Sequence, residues 1–331
     1  MNKKKTGLAL AVAALVAVTV GSGLAAADPS GPPQYRQLAG VGSDTTQDVM
    51  NGLAEAVTIN GQKVIGSYDA TGSATITTKN PATNPNCTIP RPNGSGAGRA
   101  ALLNSLQAGN GCLDFSRSSS LNLGAASPGL TYVPFAIDGV SYAITPGSSI
   151  PRKLTLADLK AIYHCDPNYV GSGPNYDLTV YLPQAGSGTR SFWESQMGIT
   201  DADVVAGVHP CIKDKKGTAP VQEHDGRVLD DKSIVPFSIA QYQAQSSQTI
   251  ADLRGRAILG TVDGISPTVL NSGFGVKRDV YNVIPTSKVG TSPWSDVFVG
   301  PDSGICKQAA VINTYGFATN PNCGDTTKQT P

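Results

Sequence analysis

Leu178-Thr179-Val180-Tyr181-Leu182, then Gly186-Ser187-Gly188-Thr189-Arg190, then Ser191 to Met197: this stretch decides how the chain is read. The apolar run predicts a buried strand. Ser191 to Met197 carries Phe192, Trp193 and Met197, with Trp193 and Met197 one helical turn apart and Gly198 as a stop signal. A strand, a Gly-Ser-Gly-Thr turn and a helix start set several free backbone N–H groups and two hydroxyls around one point. The positive end of the helix dipole faces the same point, which suits a small oxyanion. A Ser or Thr that merely caps a helix beside a Gly turn gives the same local pattern. The functional reading therefore rests on whether the unit recurs.

It does recur. Leu38 to Val41 predicts a strand that runs into Gly40-Val41-Gly42-Ser43-Asp44-Thr45-Thr46, and Val49, Met50, Leu53, Ala56 and Val57 follow at helical spacing. Gly94-Ser95-Gly96-Ala97-Gly98-Arg99 opens a second helical run with Ala100, Leu103 and Leu106 on one face. Leu113-Asp114-Phe115 enters a hydroxyl cluster, Ser116-Arg117-Ser118-Ser119-Ser120. Four loops thus share one composition, and Arg99, Arg117 and Arg190 lie in or at the end of three of them. Convergent helix N-termini with a guanidinium make an anion cage. None of the loops is a Gly-x-Ser-x-Gly elbow or a Gly-Lys-Ser/Thr phosphate loop.

Composition narrows the class. The chain has 331 residues, enough for one large domain or two lobes. It carries 25 Lys+Arg against 24 Asp+Glu, so binding nucleic acid through a basic field is not expected. Charged residues are 15% of the chain, below the roughly 25% of an average domain. Lys3-Lys4-Lys5, the apolar run Leu8 to Val20 and Ala25-Ala26-Ala27 form the three parts of a signal peptide over residues 1–27. Its removal leaves 22 basic and 24 acidic residues. No Cys stands near the cleavage point to take a lipid, and the expectation is a secreted, soluble protein.

Six cysteines, Cys87, Cys112, Cys165, Cys211, Cys306 and Cys323, fit an oxidising destination. They allow fifteen pairings, of which neighbour pairing (87–112, 165–211, 306–323) is the economical one. His164 and His209 stand close to Cys165 and Cys211, but the spacing fits no structural zinc pattern, and no metal is expected.

The remaining runs alternate between strand and helix. Lys63 to Ser67 predicts a strand, and residues 72–93 a long surface excursion rich in Thr, Asn and Pro. Ala82-Thr83-Asn84-Pro85-Asn86-Cys87 recurs as Ala318-Thr319-Asn320-Pro321-Asn322-Cys323, read as Asn-Pro turns that each place a disulfide Cys. Tyr132 to Ile144 reads as either a strand pair or a crossing between lobes. Leu154 to Tyr163 predicts a helix capped by Thr155 with Asp158 three residues on. Ser233 to Phe237, Ala257 to Val262 and Val280 to Ile284 are strand-like. The alternation predicts an α/β protein with helices covering mixed sheets.

The order of the four loops, with Tyr132-Val133-Pro134-Phe135-Ala136-Ile137-Asp138-Gly139-Val140 and Leu154 to Tyr163 between them, resembles the phosphate-binding proteins of ABC transporters. These are a type 2 branch of the two-lobed periplasmic-binding-protein superfamily, and the resemblance covers roughly residues 36–245. It implies two lobes, each a mixed sheet covered by helices, with a hinge between them and a ligand in the cleft. Residues 28–35 would be a flexible leader, 36–136 plus 280–331 the first lobe, and 137–279 the second. Gly94-Ser95-Gly96 and Gly186-Ser187-Gly188-Thr189 match the family's pattern. Asp44 and Thr45 depart from its first loop. Ser119 replaces the carboxylate that accepts the proton of bound phosphate, and Arg117 is new. Pro183 stands where the fourth loop has Arg.

Charges that have traded places would restore the site, with Asp44 as proton acceptor and Arg117 or Arg190 as guanidinium. The expected ligand set is Ser43, Asp44, Thr45, Ser95, Arg117, Ser118, Ser119, Ser187, Gly188, Thr189 and Arg190. The expected function is a monomeric solute-binding protein that holds phosphate, with an ABC transporter permease as a further partner and neither cofactor nor catalysis. The alternatives are a secreted phosphate-ester hydrolase, with Ser187 or Thr45 as nucleophile and Asp44 as base, and a surface or matrix protein that keeps the fold without a small ligand. The three His are read as lying away from the loops.

Overall fold

The computed structural model describes residues 28–29, 31–173, 176–267 and 273–331; the proposed signal peptide lies outside them. Eight strands form the main path of one sheet: β1 (Leu38–Gly42), β2 (Ile65–Ser67), β3 (Phe115–Ser118), β4 (Leu130–Ile144), β5 (Thr179–Tyr181), β6 (Ile212–Lys213), β7 (Ser233–Ser238) and β8 (Lys277–Pro285). Five helices matter for the site: α1 (Gln47–Ala56), α2 (Ser95–Ala108), α3 (Leu156–Tyr163), α4 (Gly188–Met197) and α5 (Ile239–Ser246). The sheet order is β6-β5-β7-β4-β8-β3-β1-β2, with Ile258–Leu259 and Ala318–Thr319 also paired to β4.

β4 resolves the choice left open for Tyr132 to Ile144. It is one strand of 15 residues, buried along nearly its whole length. Its first part runs antiparallel to β8 from Leu130↔Pro285 to Gly139↔Lys277, and its second part antiparallel to β7 from Val140↔Ser238 to Ala143↔Val235. One strand therefore passes through both halves of the molecule. β1, β2 and β3 pair in parallel on one side, and β5, β6 and β7 on the other. Parallel strands joined through helices are covered on both faces, which explains the near-continuous apolar runs in β1 and β7. The protein is a two-lobed α/β fold.

Each side has its own apolar core. One gathers Val140, Tyr163, Leu182, Trp193, Met197 and Ile234, with the Trp193 and Tyr163 rings edge to face at 5.7 Å. The other gathers Leu38, Val49, Leu53, Phe115, Phe135 and Val280. Burial of side chains at this density, at about 25 cal/mol per Å², is what holds each half together. Trp193 and Met197 stack on one face of α4, and Gly198 ends it at φ 75. Thr155 and Asp158 form the full capping box at the start of α3.

The three disulfides are Cys87–Cys112, Cys165–Cys211 and Cys306–Cys323, the neighbour pairing. In both copies of the repeated hexapeptide the Cys N–H donates to the carbonyl of the Asn before Pro, at 3.4 Å for Cys87 and 3.0 Å for Cys323. Pro at the second position of such a turn presets its φ. The surface excursion over 72–93 carries a hairpin, Thr75–Thr77 paired with Thr88–Pro90. Two expectations need correction. Ser116 to Ser118 belong to β3 itself rather than to a loop after it. Ala257 to Val262 splits into two short strands, which pair with different partners.

Candidate functional site

The strand–Gly turn–helix units meet. Ser43 N–H donates to the Arg117 carbonyl, tying the first loop to the third. The Ser119 N–H donates to Ser95 Oγ at 3.0 Å, and the two hydroxyls stand 3.4 Å apart, tying the third to the second. Gly96 N–H donates to the Gly186 carbonyl at 3.0 Å, tying the second to the fourth across the cleft. Approach this close requires glycine. Gly94 sits at φ 104 and a Cβ there would strike the Gly186 backbone, while a Cβ on Gly188 would strike the hydroxyls of Ser95 and Ser119.

At the centre lies a hydroxyl pair, Thr45 Oγ1 and Thr189 Oγ1, 3.1 Å apart and from opposite sides of the cleft. Both donate to one carboxylate oxygen, Glu223 Oε2, at 2.8 and 3.3 Å. His224 Nε2 stands 3.0 Å from Thr45 Oγ1 and 3.3 Å from Glu223 Oε2. Arg278 Nη2 donates to Thr189 Oγ1 at 3.0 Å and to Asp138 Oδ2 at 2.9 Å. Arg278 and Asp138 face each other across β8 and β4, so the sheet register sets the pair. Asp138 Oδ1 also accepts from Ser238 Oγ and the Ala240 N–H, which leaves the acid fully partnered and Arg278 rigidly aimed. Thr45, Thr189, Glu223, His224, Asp138 and Arg278 are all buried.

Burial alone would keep Glu223 neutral. Hydrogen bonds from His224, Ser187 and Thr45, with the charge of His224, outweigh it and hold the acid at about 2. Asp44 behaves in the opposite way: burial and the neighbouring Glu223 push its pKa well up, and Arg117 only partly offsets them. Asp44 makes no side-chain hydrogen bond among the described residues. Within the pair, negative charge is favoured on Glu223 over Asp44. The cradle is a place where an anion is stable.

Known structures agree with the architecture. No protein-family model matches the sequence, and no curated protein does. Among solved structures, the chain is similar to a candidate phosphate ABC transporter substrate-binding protein from Clostridium perfringens, solved with bound phosphate. The TM-score is 0.51 at 16% identity, over 86% of this chain and 99% of that one. It is similar as well to an ABC-type phosphate transport receptor from Vibrio cholerae, with a TM-score of 0.50 at 16% identity over 86% and 100%. The chain has the periplasmic-binding-protein-like fold.

Within that fold the expected residues separate into two groups. Thr45, Ser95, Ser119, Ser187, Gly188 and Thr189 come together in the cleft, with Ser43 buried beside them. Ser118 turns its hydroxyl to the Ser120 carbonyl at 2.7 Å. Arg117 is buried beneath the first loop, where Nη1 reaches Ser67 Oγ at 3.0 Å and Nε reaches the Ser43 carbonyl at 3.3 Å. Arg190 is not in the cleft. It is buried on the Glu194 side of α4, bound to Glu194 Oε1 at 2.9 Å, Asp201 Oδ1 at 2.5 Å and Asp214 Oδ2 at 3.2 Å. In a helix, position 190 faces the same side as 194, away from the N-terminal N–H groups.

Four residues in the cradle were missed: Asp138, Glu223, His224 and Arg278. His224 corrects the reading that every His lies away from the loops. The run Gln222-Glu223-His224-Asp225 carries one of only three His in the chain, and that scarcity was the available signal. The ionised acid of the site is likewise Glu223 and not Asp44.

Proposed function

We propose that this chain is a secreted solute-binding protein that holds a tetrahedral oxyanion, phosphate, in the cleft between its lobes. The lobes divide at residues 36–136 plus 280–331 and 137–279. The observation that carries the reading is that a buried carboxylate, Glu223, accepts from the hydroxyls of Thr45 and Thr189, while His224, Ser187 and Thr45 hold its pKa down against burial. Donors that stabilise an internal anion also stabilise a bound one. Thr45, Ser95, Ser119, Ser187 and Thr189 supply hydroxyls or backbone N–H groups. Gly188 gives access to the start of α4, and Ser43, Ser118 and Arg117 support the loops from behind. Arg278 supplies the guanidinium in place of Arg190, with Nη1 buried and unpartnered.

A space of about 290 Å³ lined in part by Ser120, Ser191, Phe192, Arg278, Asp279 and Tyr281 adjoins the cradle through Arg278. The ionised Glu223 favours a ligand that brings a proton, so hydrogen phosphate is preferred to sulfate, which leaves the carboxylate facing an unprotonated oxygen. A lobed protein of this kind delivers its ligand to a transporter permease. No described helix is long and apolar enough to cross a membrane.

Calorimetric titration of anion-free protein tests this. Phosphate binds at micromolar concentration or tighter and sulfate at least tenfold more weakly, and Glu223→Gln narrows that gap by improving sulfate. Silence with both anions would overturn the reading.

A second reading rests on the Thr45 hydroxyl, 3.0 Å from His224 Nε2, which is the spacing of a nucleophile and its base. Turnover of a chromogenic phosphate ester, lost in Thr45→Val, would decide for the hydrolase.

A further inference from the structure

The cleft is short of positive charge. Asp44 faces Glu223, and Asp48 and Asp69 add their fields, while Arg117 is the guanidinium that opposes them. Arg278 is already matched by Asp138. Four carboxyl groups, Asp44, Asp48, Asp69 and Glu223, thus lie around the guanidinium of Arg117.

The acids and His224 are placed to hold a cation. One ligand atom each from Asp44, Glu223 and His224 lies within 4.8 Å of the others, and all three residues are buried. His224 Nε2 and Glu223 Oε2 are 3.3 Å apart. Two ligands on one tetrahedral ion, each at about 2.1 Å, stand roughly 3.4 Å apart. Those two facing atoms are already engaged by Thr45 and Thr189, so a bound ion would displace these hydroxyls, while spare bonding capacity lies on the residues' other atoms. Glu223 Oε1 and His224 Nδ1 are buried without a hydrogen-bond partner, in residues 3% and 5% exposed. Among the described residues the Asp44 carboxyl has no side-chain hydrogen-bond partner either.

We propose that Asp44, Glu223 and His224 form a site for a divalent first-row transition-metal ion, Zn²⁺ in type, that joins the two sides of the cleft. Asp44 follows β1 on one side, and Glu223 and His224 lie between β6 and β7 on the other. Imidazole with two carboxylates is a borderline-to-hard donor set that suits Zn²⁺ or Mn²⁺ rather than Cu⁺. The ion takes up the Glu223 charge and lowers the competition for Thr45 and Thr189, so those hydroxyls are released to a phosphate oxygen. Only that last step rests on the oxyanion reading; the metal site stands on its own residues.

The purified full chain, stripped with EDTA and free of phosphate, is titrated with Zn²⁺ by calorimetry and with Co²⁺ by visible absorption. The expected result is one equivalent bound at micromolar concentration or tighter, with a d–d band and a raised melting temperature. His224→Gln and Asp44→Asn each weaken binding at least tenfold. His209→Gln leaves it unchanged, which matters because the His164 and His209 rings lie 5.0 Å apart elsewhere on the molecule. Absence of binding in the unaltered chain, or binding that survives both His224→Gln and Asp44→Asn, overturns the proposal. Should His224→Gln fail to fold, Asp44→Asn alone decides. Phosphate is then titrated with and without Zn²⁺. A tenfold gain with Zn²⁺ links the two sites, whereas metal binding without any phosphate binding refutes the oxyanion reading and leaves the metal site intact.

Discussion

At the scale of single residues, the cleft is a set of acids with opposite fates. Glu223 is held at about 2 by its hydroxyl and imidazole partners against the cost of burial. Asp69 is pushed up to about 6, first by burial and then by Asp48 and Asp28, while Asn51 and Arg117 pull the other way. The consequences for stability have opposite signs. Glu223 contributes stability that is present above the ordinary carboxylate range and is lost as pH falls toward 2. Asp69 is more easily ionised in the unfolded chain, so stability is fully present below about pH 4 and is lost as pH rises through about 6. Asp44 and Asp48, both raised by burial, act in the same direction as Asp69. These three acids therefore favour the folded state of metal-free, anion-free protein more in mild acid than at neutral pH. Urea unfolding at pH 4.5 and pH 7 should show the decline, and Asp69→Asn should reduce it by no more than about 3 kcal/mol. A decline of equal size in the variant would show that Asp69 is not its source.

At the scale of elements, the recurring strand–Gly turn–helix unit is legible because its causes are local. A strand must be apolar, a tight turn needs positive φ, and a helix start needs a cap. β1 with α1, and β5 with α4, follow that order, and Ser187 caps α4 by accepting from the Arg190 N–H at 3.0 Å. α1 and α2 have no side-chain cap bond, and at α2 Gly94 holds the N-cap position while the hydroxyl of Ser95 accepts from Ser119. Gly94→Ala tests what that position does. At φ 104, with the Gly186 backbone in the path of a Cβ, the substitution costs about 1–3 kcal/mol. It should also force the second and fourth loops apart. The measurement is the melting temperature together with phosphate affinity: both should fall, the affinity by about tenfold. A lowered melting temperature with affinity intact would mean that the second loop stands outside the site.

For the molecule as a whole, β4 threads both halves, and the contacts across the cleft are polar, two of them made by one residue. Asn93 Nδ2 donates to Gln222 Oε1, and Gln184 Nε2 donates to Asn93 Oδ1, each at 3.1 Å. Two such bonds contribute about 2 kcal/mol in all, enough to shift an open–closed balance by roughly thirtyfold. Asn93→Ala should therefore give a larger radius of gyration in solution scattering without ligand, and saturating phosphate should restore the smaller one. An unchanged radius would assign closure to the Thr45–Thr189–Glu223 cluster instead. The disulfides bear on the same question, since Cys165–Cys211 and Cys306–Cys323 each close a loop within one stretch and leave the crossing strand free.

Local physics determined the strand–turn–helix units, the capping of α3, the hydroxyl-rich loops and, through the twice-used Asn-Pro turn, the placement of two disulfide cysteines. These depend on residues within a few positions of one another, so a linear reading captures them. Tertiary structure alone decided which charges enter the cradle. Thr45 meets Glu223, His224 and Arg278 across separations of 178, 179 and 233 residues, and no local pattern encodes such a meeting. Arg190 and Arg278 show the reason most directly. Helical phase turns Arg190 toward Glu194, although it adjoins the binding turn, while the β4–β8 register delivers Arg278 from far along the chain and fixes it on Asp138.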